Sequence, residues 1–417
     1  MQAVLLLAGQ SSRFYPFHSV VHKSLIKVMG KTILEHTLAS LQRAGVLDVI
    51  LVVSPHNPIQ ELLGNGEKLG IHITYVIQSE TNGMGHALLL AREHIKNDFF
   101  LLHGYHFEVD QFVAEMIKRK KEASQIVLLG KDVRGTDRYG YMDIEKDKVT
   151  GVIEKPQKEL QNALHIIGIY LLNREFLHTL QKTPLSHYHF EEAVDTYAKT
   201  GNVTFFQTDK KTITLKYAWD LLDIKDFLVE HMQPSISHKA TISPHAIISG
   251  DVIVEEGAKI FEGACIKGPC YIGKNVVVGN NALVREGVIA EEDSVIGAYM
   301  EIKNTFLMGK SSTHTGFIGD SVIGTKCKIG AEICTTNVRL DRNIIFPEVK
   351  EEKVNSYRNH LGVIVGDNVI MGARVTTMPG VIIGNDSIIG PSALLLHNVP
   401  DNVKLYAQVK TIQKPRE

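Results

Sequence analysis

Stepping by six residues from Ile242 gives Ile242, Ile248, Val254, Ile260, Ile266, Ile272, Val278, Val284, Ala290, Ile296, Ile302 and Met308, every one apolar. An α-helix cannot carry this period, because six residues return to the opposite side of a 3.6-residue cycle. A solenoid can. Each hexad is one short strand and a turn, three hexads close a triangular coil, and each apolar residue stacks on its equivalent one coil below. Glycine, Asn, Asp and Glu crowd the positions just after the inward residue, as in Ile272-Gly273-Lys274-Asn275 and Val278-Gly279-Asn280-Asn281. Such residues tolerate the conformations that corners require. The ladder slips near His314, resumes at Ile323 and Ile329, and restarts in a new phase at Val365, Met371, Thr377, Ile383, Ile389 and Leu395. The charged, irregular stretch between, about Val338 to His360, must leave a solenoid as a surface loop, and long loops are often functional. The pattern predicts a left-handed parallel β-helix of hexapeptide repeats within residues 233–417.

The chain before Gln233 alternates differently. Apolar runs at Ala3–Leu7, Val49–Val53 and Phe99–Leu102 are separated by helical stretches at Ile33–Ala44 and Ala87–Ile95. This β-α alternation predicts an α/β domain over 1–232, built on a Rossmann-like, mostly parallel or mixed sheet whose ligands gather at the carboxyl ends of strands. The first strand runs into Ala8-Gly9-Gln10-Ser11-Ser12-Arg13, a Gly- and Ser-rich turn suited to presenting backbone N–H groups and an arginine to phosphate oxygens.

Composition narrows the function classes. The 417 residues are 44% hydrophobic and 22% charged, with 45 basic against 46 acidic side chains and a formal charge of −1. A nucleic-acid scaffold is normally basic or carries a basic stripe, so no nucleic-acid partner is expected. No apolar run reaches membrane-span length and the chain opens directly on a strand, so no membrane partner and a cytoplasmic location are expected. Cys265, Cys270, Cys327 and Cys334 all fall among the repeats without C-x-x-C spacing, and are expected to be buried free thiols.

The order of short motifs before Gln233 resembles that of the sugar-1-phosphate nucleotidylyltransferases. Leu7, Ala8, Gly9 and Arg13 match the opening loop, Lys23 a later lysine, and Gly30-Lys31 the G-K pair before a helix. Gln78 and Gly83-Met84-Gly85-His86-Ala87 match a base-reading element. Tyr139-Gly140 and Glu154-Lys155-Pro156 match sugar- and phosphate-holding motifs, and Trp219-Asp220 a late element near the metal. The resemblance implies nucleotidyl transfer. Leu7, Gly9, Gln78 and Gly83 would bind the nucleotide, with Arg13 and Lys23 as catalytic cations on the triphosphate. Gly140, Glu154 and Lys155 would hold the sugar phosphate, and Asp220 would hold Mg²⁺.

Joined to a hexapeptide β-helix, this domain resembles the bifunctional N-acetylglucosamine-1-phosphate uridyltransferase/glucosamine-1-phosphate acetyltransferase family. Arg285 in Val284-Arg285-Glu286-Gly287 matches a sugar-phosphate arginine, and Lys303 in Glu301-Ile302-Lys303-Asn304 a second phosphate cation. Lys310 to Asp320 matches K-x-x-H-x-x-Y-x-G-D with one extra residue between Lys310 and His314, with His314 as the general base, and Asn337 matches an asparagine on the acetyl-CoA side. An imidazole titrates near working pH and suits removal of an amine proton. The resemblance implies nucleoside triphosphate, sugar-1-phosphate and acetyl-CoA as substrates, and a homotrimer.

Several positions depart from the pattern. Tyr105, in Leu102-His103-Gly104-Tyr105-His106, stands where the family carries a metal-binding aspartate, and a neutral phenol is a poor ligand for a hard cation. Phe317 stands for a tyrosine and Lys328 for a substrate-binding asparagine. Two other readings follow. One is a nucleotidylyltransferase for another sugar-1-phosphate, such as a glucose-1-phosphate thymidylyltransferase, whose β-helix serves only assembly. The other is a non-catalytic sugar-nucleotide-binding subunit, for which Tyr105 is the main support.

Overall fold

The computed structural model describes all residues except 10, 18–21, 81, 133–139, 155–162, 409–412 and 414–417. Packing divides it into two compact units, one of residues 1–10 and 32–214, the other of residues 11–31 and 215–417. The sequence pattern changes after Met232, but packing groups residues 11–31 and the helix Asp220–Glu230 with the coils.

Among the described residues, the first unit is built on nine strands: β1 (Gln2–Leu7), β2 (Asp48–Val53), β3 (His72–Ile77), β4 (Phe99–His103), β5 (Ile126–Lys131), β6 (Gly140–Glu145), β7 (Lys148–Glu154), β8 (Ala163–Leu172) and β9 (Val203–Gln207). They form one mixed sheet in the order β3-β2-β1-β4-β8-β5-β9-β7-β6. Strands β1 to β4 are parallel, as the β-α alternation requires, whereas β8 runs antiparallel to both β4 and β5. Strand β1 is buried along its whole length, which is why it reads as a continuous apolar run. The helix Ile33–Arg43 starts at a capping box: Thr32 Oγ1 accepts the Glu35 N–H at 3.1 Å, and the Glu35 carboxylate accepts the Thr32 N–H at 2.7 Å. Its Ile33, Leu34, Thr37, Leu38 and Leu41 are buried at helical spacing.

The second unit is the left-handed parallel β-helix. Among the described residues, strands of two to four residues stack into three sheets of eight, nine and eight strands. The inward residues form a single core running from Val252 to Val399. Where the repeat is regular, partners lie three full hexads apart, as Val252 with Cys270 and Cys270 with Val288. The ladder shortens earlier than its apolar sequence suggests. Ala290 stacks on Leu307, one position short of three hexads, so Leu307 and not Met308 is the inward residue. The next coil is shorter by one position more, with Met300 paired to Gly316 and Ser312 to Lys328. A six-residue step cannot register a one-residue slip when the neighbouring residue is also apolar, and Met308 happens to be.

The expected loop is present. Lys328 pairs with Ile370, much further along the chain than one coil, and the excess leaves the coil, carrying the two-stranded hairpin Glu348–Val349 and Glu352–Lys353. The four cysteines are free thiols, but only Cys270 and Cys327 are buried; Cys265 and Cys334 are half-exposed. Each of those two precedes an inward residue, Ile266 and Thr335, so strand alternation turns it outward. Burial pushes the Cys270 and Cys327 thiols up to about 12, which leaves them unreactive.

Candidate functional site

One corner of the β-helix gathers Arg285 and Lys303, the two cations expected to handle the sugar phosphate in acetyl transfer. Arg285 leaves the strand Leu283–Val284 and donates from a terminal guanidinium nitrogen to the Glu301 carboxylate at 3.0 Å. One coil further, Lys303 ends the strand Met300–Lys303 and lies 3.5 Å from the Asp320 carboxylate. Asp320 is the hub of this corner. It is buried, and it accepts the Asn304 side-chain amide at 2.6 Å as well as that of Asn337. Asn337, expected on the acetyl-CoA side, therefore shares a carboxylate with Lys303.

A further cation stands behind this corner. Lys225, on the helix Asp220–Glu230, is fully buried and donates to Asn304 Oδ1 at 2.5 Å and to Asp226. Burial pushes its ammonium pKa down, and the Asp226 carboxylate pulls it back up. Neither Lys225 nor Asp320 was singled out by sequence reasoning. Asp320 could have been found at the end of the eleven-residue segment that carries His314. Lys225 could not, since its partner Asn304 lies 79 residues away.

His314 lies at another corner. It follows the strand Ser312–Thr313, its side chain is exposed, and its backbone N–H donates to the Ile329 carbonyl at 3.0 Å. The four-residue strand Gly316–Gly319 runs from there to Asp320, a span of about 13 Å at the usual strand rise. Lys303 is in register with Gly319, so His314 stands at the opposite end of that strand from it. Gly316 permits the tight coil between them: its φ is +126°, and a Cβ there would stand 2.1 Å from the Ile333 carbonyl oxygen. Phe317, in place of a tyrosine, lies in register between Glu301 and Cys334.

The nucleotide-side residues of the first unit cluster at strand ends. Gln78 follows β3, is buried, and its amide nitrogen lies 3.4 Å from the Gly83 carbonyl oxygen and 3.2 Å from His86 Nδ1. His86 thus holds the Gln78 amide, a contact that its sequence position did not suggest. Gly83 opens the helix Gly83–Ala91. Leu7 is buried, so only its backbone can face a ligand, while Gly9 is exposed just beyond β1. Gly140 opens β6 directly opposite Glu154 on β7. Lys155 lies outside the described residues.

Arg13, Lys23 and Asp220 belong to the second unit. Arg13 is exposed. Lys23 donates to the Leu215 carbonyl at 2.6 Å; burial lowers its ammonium to about 8, against the opposing pull of the Asp220 carboxylate. Asp220 is buried, and one carboxylate oxygen accepts the backbone N–H groups of Lys216 and Tyr217 at 2.7 and 2.8 Å. The carboxylate expected to hold a metal is thus tied into the turn that starts its own helix. Tyr105, at the end of β4, stacks on His103 with ring centroids 5.3 Å apart and lies 4.7 Å from the His106 ring. Among the described residues no group of three or more His, Cys, Asp or Glu side chains is placed to hold a metal ion. Mg²⁺ is usually held by one or two carboxylates together with substrate phosphates, and the buried Asp220 is the carboxylate that the family pattern offers for it here. No helix among the described residues is long and apolar enough to cross a membrane.

Comparison with known proteins covers both units. Residues 2–232 match the family described as nucleotidyl transferase, and residues 269–298 and 362–390 match the hexapeptide repeat of succinyl-transferase. The chain is 31% identical over 412 residues to the bifunctional protein GlmU of Methanococcus maripaludis, covering 97% of each. It is 28% identical over 406 residues to a bifunctional sugar-1-phosphate nucleotidylyltransferase/acetyltransferase of Sulfurisphaera tokodaii, covering 96% of this chain and 98% of the other. A glucose-1-phosphate thymidylyltransferase of Streptomyces antibioticus is more distant, at 25% over 364 residues, covering 83% of this chain and 95% of the other.

Proposed function

Because the chain belongs to the nucleotidyl transferase family, in its bifunctional branch with a hexapeptide acetyltransferase domain, we propose that it makes an amino-sugar nucleotide in two steps. The first step transfers acetyl from acetyl-CoA to glucosamine-1-phosphate. The amine attacks the thioester carbonyl, His314 takes the amine proton, the C–S bond breaks, and the CoA thiolate leaves and recovers the proton. Arg285 and Lys303 hold the sugar phosphate as charge-assisted donors, and Asn337 stands beside them on the acetyl-CoA side. The second step joins the acetylated sugar phosphate to UTP. A phosphate oxygen attacks the α-phosphorus, the bond to the bridging oxygen breaks, and pyrophosphate leaves.

Positioning and charge carry most of the second step. Gln78, oriented by His86, reads the base, with Leu7, Gly9 and Gly83 presenting backbone to the nucleotide. Arg13 and Lys23 neutralise the triphosphate. Gly140, Glu154 and Lys155 hold the sugar phosphate. The family's nucleotidyl chemistry uses a divalent cation, which Asp220 and the triphosphate would hold and which would neutralise the charge developing on the phosphates. The observation that carries the proposal is the β-helix corner joining Arg285, Lys303, Asp320 and Asn337 in a chain co-linear with its bifunctional relatives.

His314 lies a strand away from that corner, and this supports a homotrimer in which a neighbouring copy brings the base to the sugar. The reactions would take place in the cytoplasm, where their nucleotide and CoA substrates are kept. An assay with glucosamine-1-phosphate, acetyl-CoA, UTP and Mg²⁺ tests the proposal. Free CoA thiol and pyrophosphate should both appear. Absence of acetylated sugar phosphate, together with absence of pyrophosphate from any sugar-1-phosphate, would sink it.

A further inference from the structure

The second unit contains a cavity of about 340 Å³ that belongs to neither the Arg285–Lys303 corner nor the His314 corner. It lies at the third corner of the β-helix, beside the strand Phe306–Leu307, and Phe17, Leu25, Ile26 and Lys27 form its other wall. Its apolar lining is Phe17, Leu25, Ile26 and Met308. Met308 reaches it because the coil has slipped by one residue there, which leaves Leu307 as the inward residue.

The lining carries three acidic side chains, Glu291, Glu292 and Asp367, and three lysines, Lys27, Lys310 and Lys326. Glu291 is buried and accepts the backbone N–H groups of Met29 and Gly30 at 2.5 and 3.1 Å. Glu292 is paired with Lys27 at 3.0 Å, and the Asp367 carboxylate accepts the Thr325 N–H at 2.7 Å. Each carboxylate on the lining is therefore engaged. The lysines Lys310 and Lys326 are exposed at the rim, and neither side chain has a hydrogen-bond or ion-pair partner among the described residues. The cavity thus combines an apolar floor with two uncommitted positive charges at one edge.

We propose that this cavity binds a phosphate monoester carried on a flat apolar body, the body lying against Phe17, Leu25 and Met308 and the phosphate between Lys310 and Lys326. The volume is within the range of small-ligand sites and holds a body the size of a single aromatic or heterocyclic ring with its phosphate. An ammonium recognises phosphate as a point charge, so two lysines suit a dianion without demanding one orientation. The proposal stands apart from the transfer reactions above, since none of their assigned residues lines the cavity.

The probe is phenyl phosphate, titrated into the full-length chain labelled at the methionine methyl groups. The Met308 resonance is assigned by its disappearance in Met308→Leu. It should shift saturably with phenyl phosphate. Inorganic phosphate and benzyl alcohol should each bind at least about tenfold more weakly, because each supplies only one half of the recognition. The Lys310→Asn/Lys326→Asn double variant should lose about tenfold or more in affinity; asparagine accepts the left-handed backbone found at both positions, so the coil is retained. Displacement by uridine monophosphate or by adenosine monophosphate then tells which nucleotide source shares this chemistry. A Met308 resonance that does not move, or that moves equally in the folded double variant, overturns the proposal.

Discussion

At the scale of single residues, the two proposed reactions separate cleanly. His314→Ala removes the acetyl-transfer base and should lower that kcat by about 10²- to 10⁴-fold. Pyrophosphate release with pre-acetylated sugar phosphate should be unchanged; equal loss of both activities would contradict the assignment. Lys23 gives a pH signature. Its ammonium is held down at about 8 by burial, so its positive charge fades as pH rises through that value. The KM for nucleoside triphosphate should climb above about pH 8 in the native chain and stay flatter in Lys23→Arg, which keeps its charge. Identical profiles would exclude Lys23 from the triphosphate. Lys225→Met leaves Asn304 without its buried donor and should cost about 1–3 kcal/mol in unfolding measurements. The same variant should raise the KM for glucosamine-1-phosphate more than it lowers kcat, a split that a purely structural role would not produce.

At the scale of elements, Glu291 links the segment 11–31 to the coils. Its carboxyl sits at about 7 when folded, because burial outweighs the two N–H groups and Lys27, against about 4.5 when free. Below 4.5 both folded and unfolded chains hold the proton. Between 4.5 and 7 only the folded chain still does, so stability falls as pH rises through that window and then levels. Glu291→Gln should flatten this decline in thermal unfolding followed across the same window; a decline of the same steepness would remove Glu291 as its source. Gly30 belongs to the same contact: its φ is +76°, and a Cβ would come within 3.0 Å of the Tyr271 hydroxyl. Much of this architecture was legible in sequence, because a repeat announces its inward residue again and again. The loop that leaves between Lys328 and Ile370 was legible for the same reason. The slip at Leu307 was not, since Met308 beside it is equally apolar. Lys225 and Glu291 were not legible either, because each acquires its meaning from partners that only the closed coil brings near.

At the scale of the whole molecule, the separation of His314 from Arg285 makes a prediction about mixed assemblies. Chains with His314→Ala and chains with Arg285→Ala should each lack acetyl transfer. Unfolded together and refolded, they should recover part of it, since some interfaces would pair an intact histidine with an intact arginine. No recovery in mixed oligomers confirmed by mass would mean that each chain completes its own site. The division of the chain by packing has a different bearing. The segment that carries Arg13 and Lys23 is fastened to the solenoid by Glu291, by Lys27 with Glu292, and by Asn385 donating to the Pro16 carbonyl. A gene cut after Met232, where the family match ends, would therefore strip these contacts from the segment that carries Arg13 and Lys23. The same holds in evolution: a foreign solenoid joined at that seam would have to supply these contacts anew.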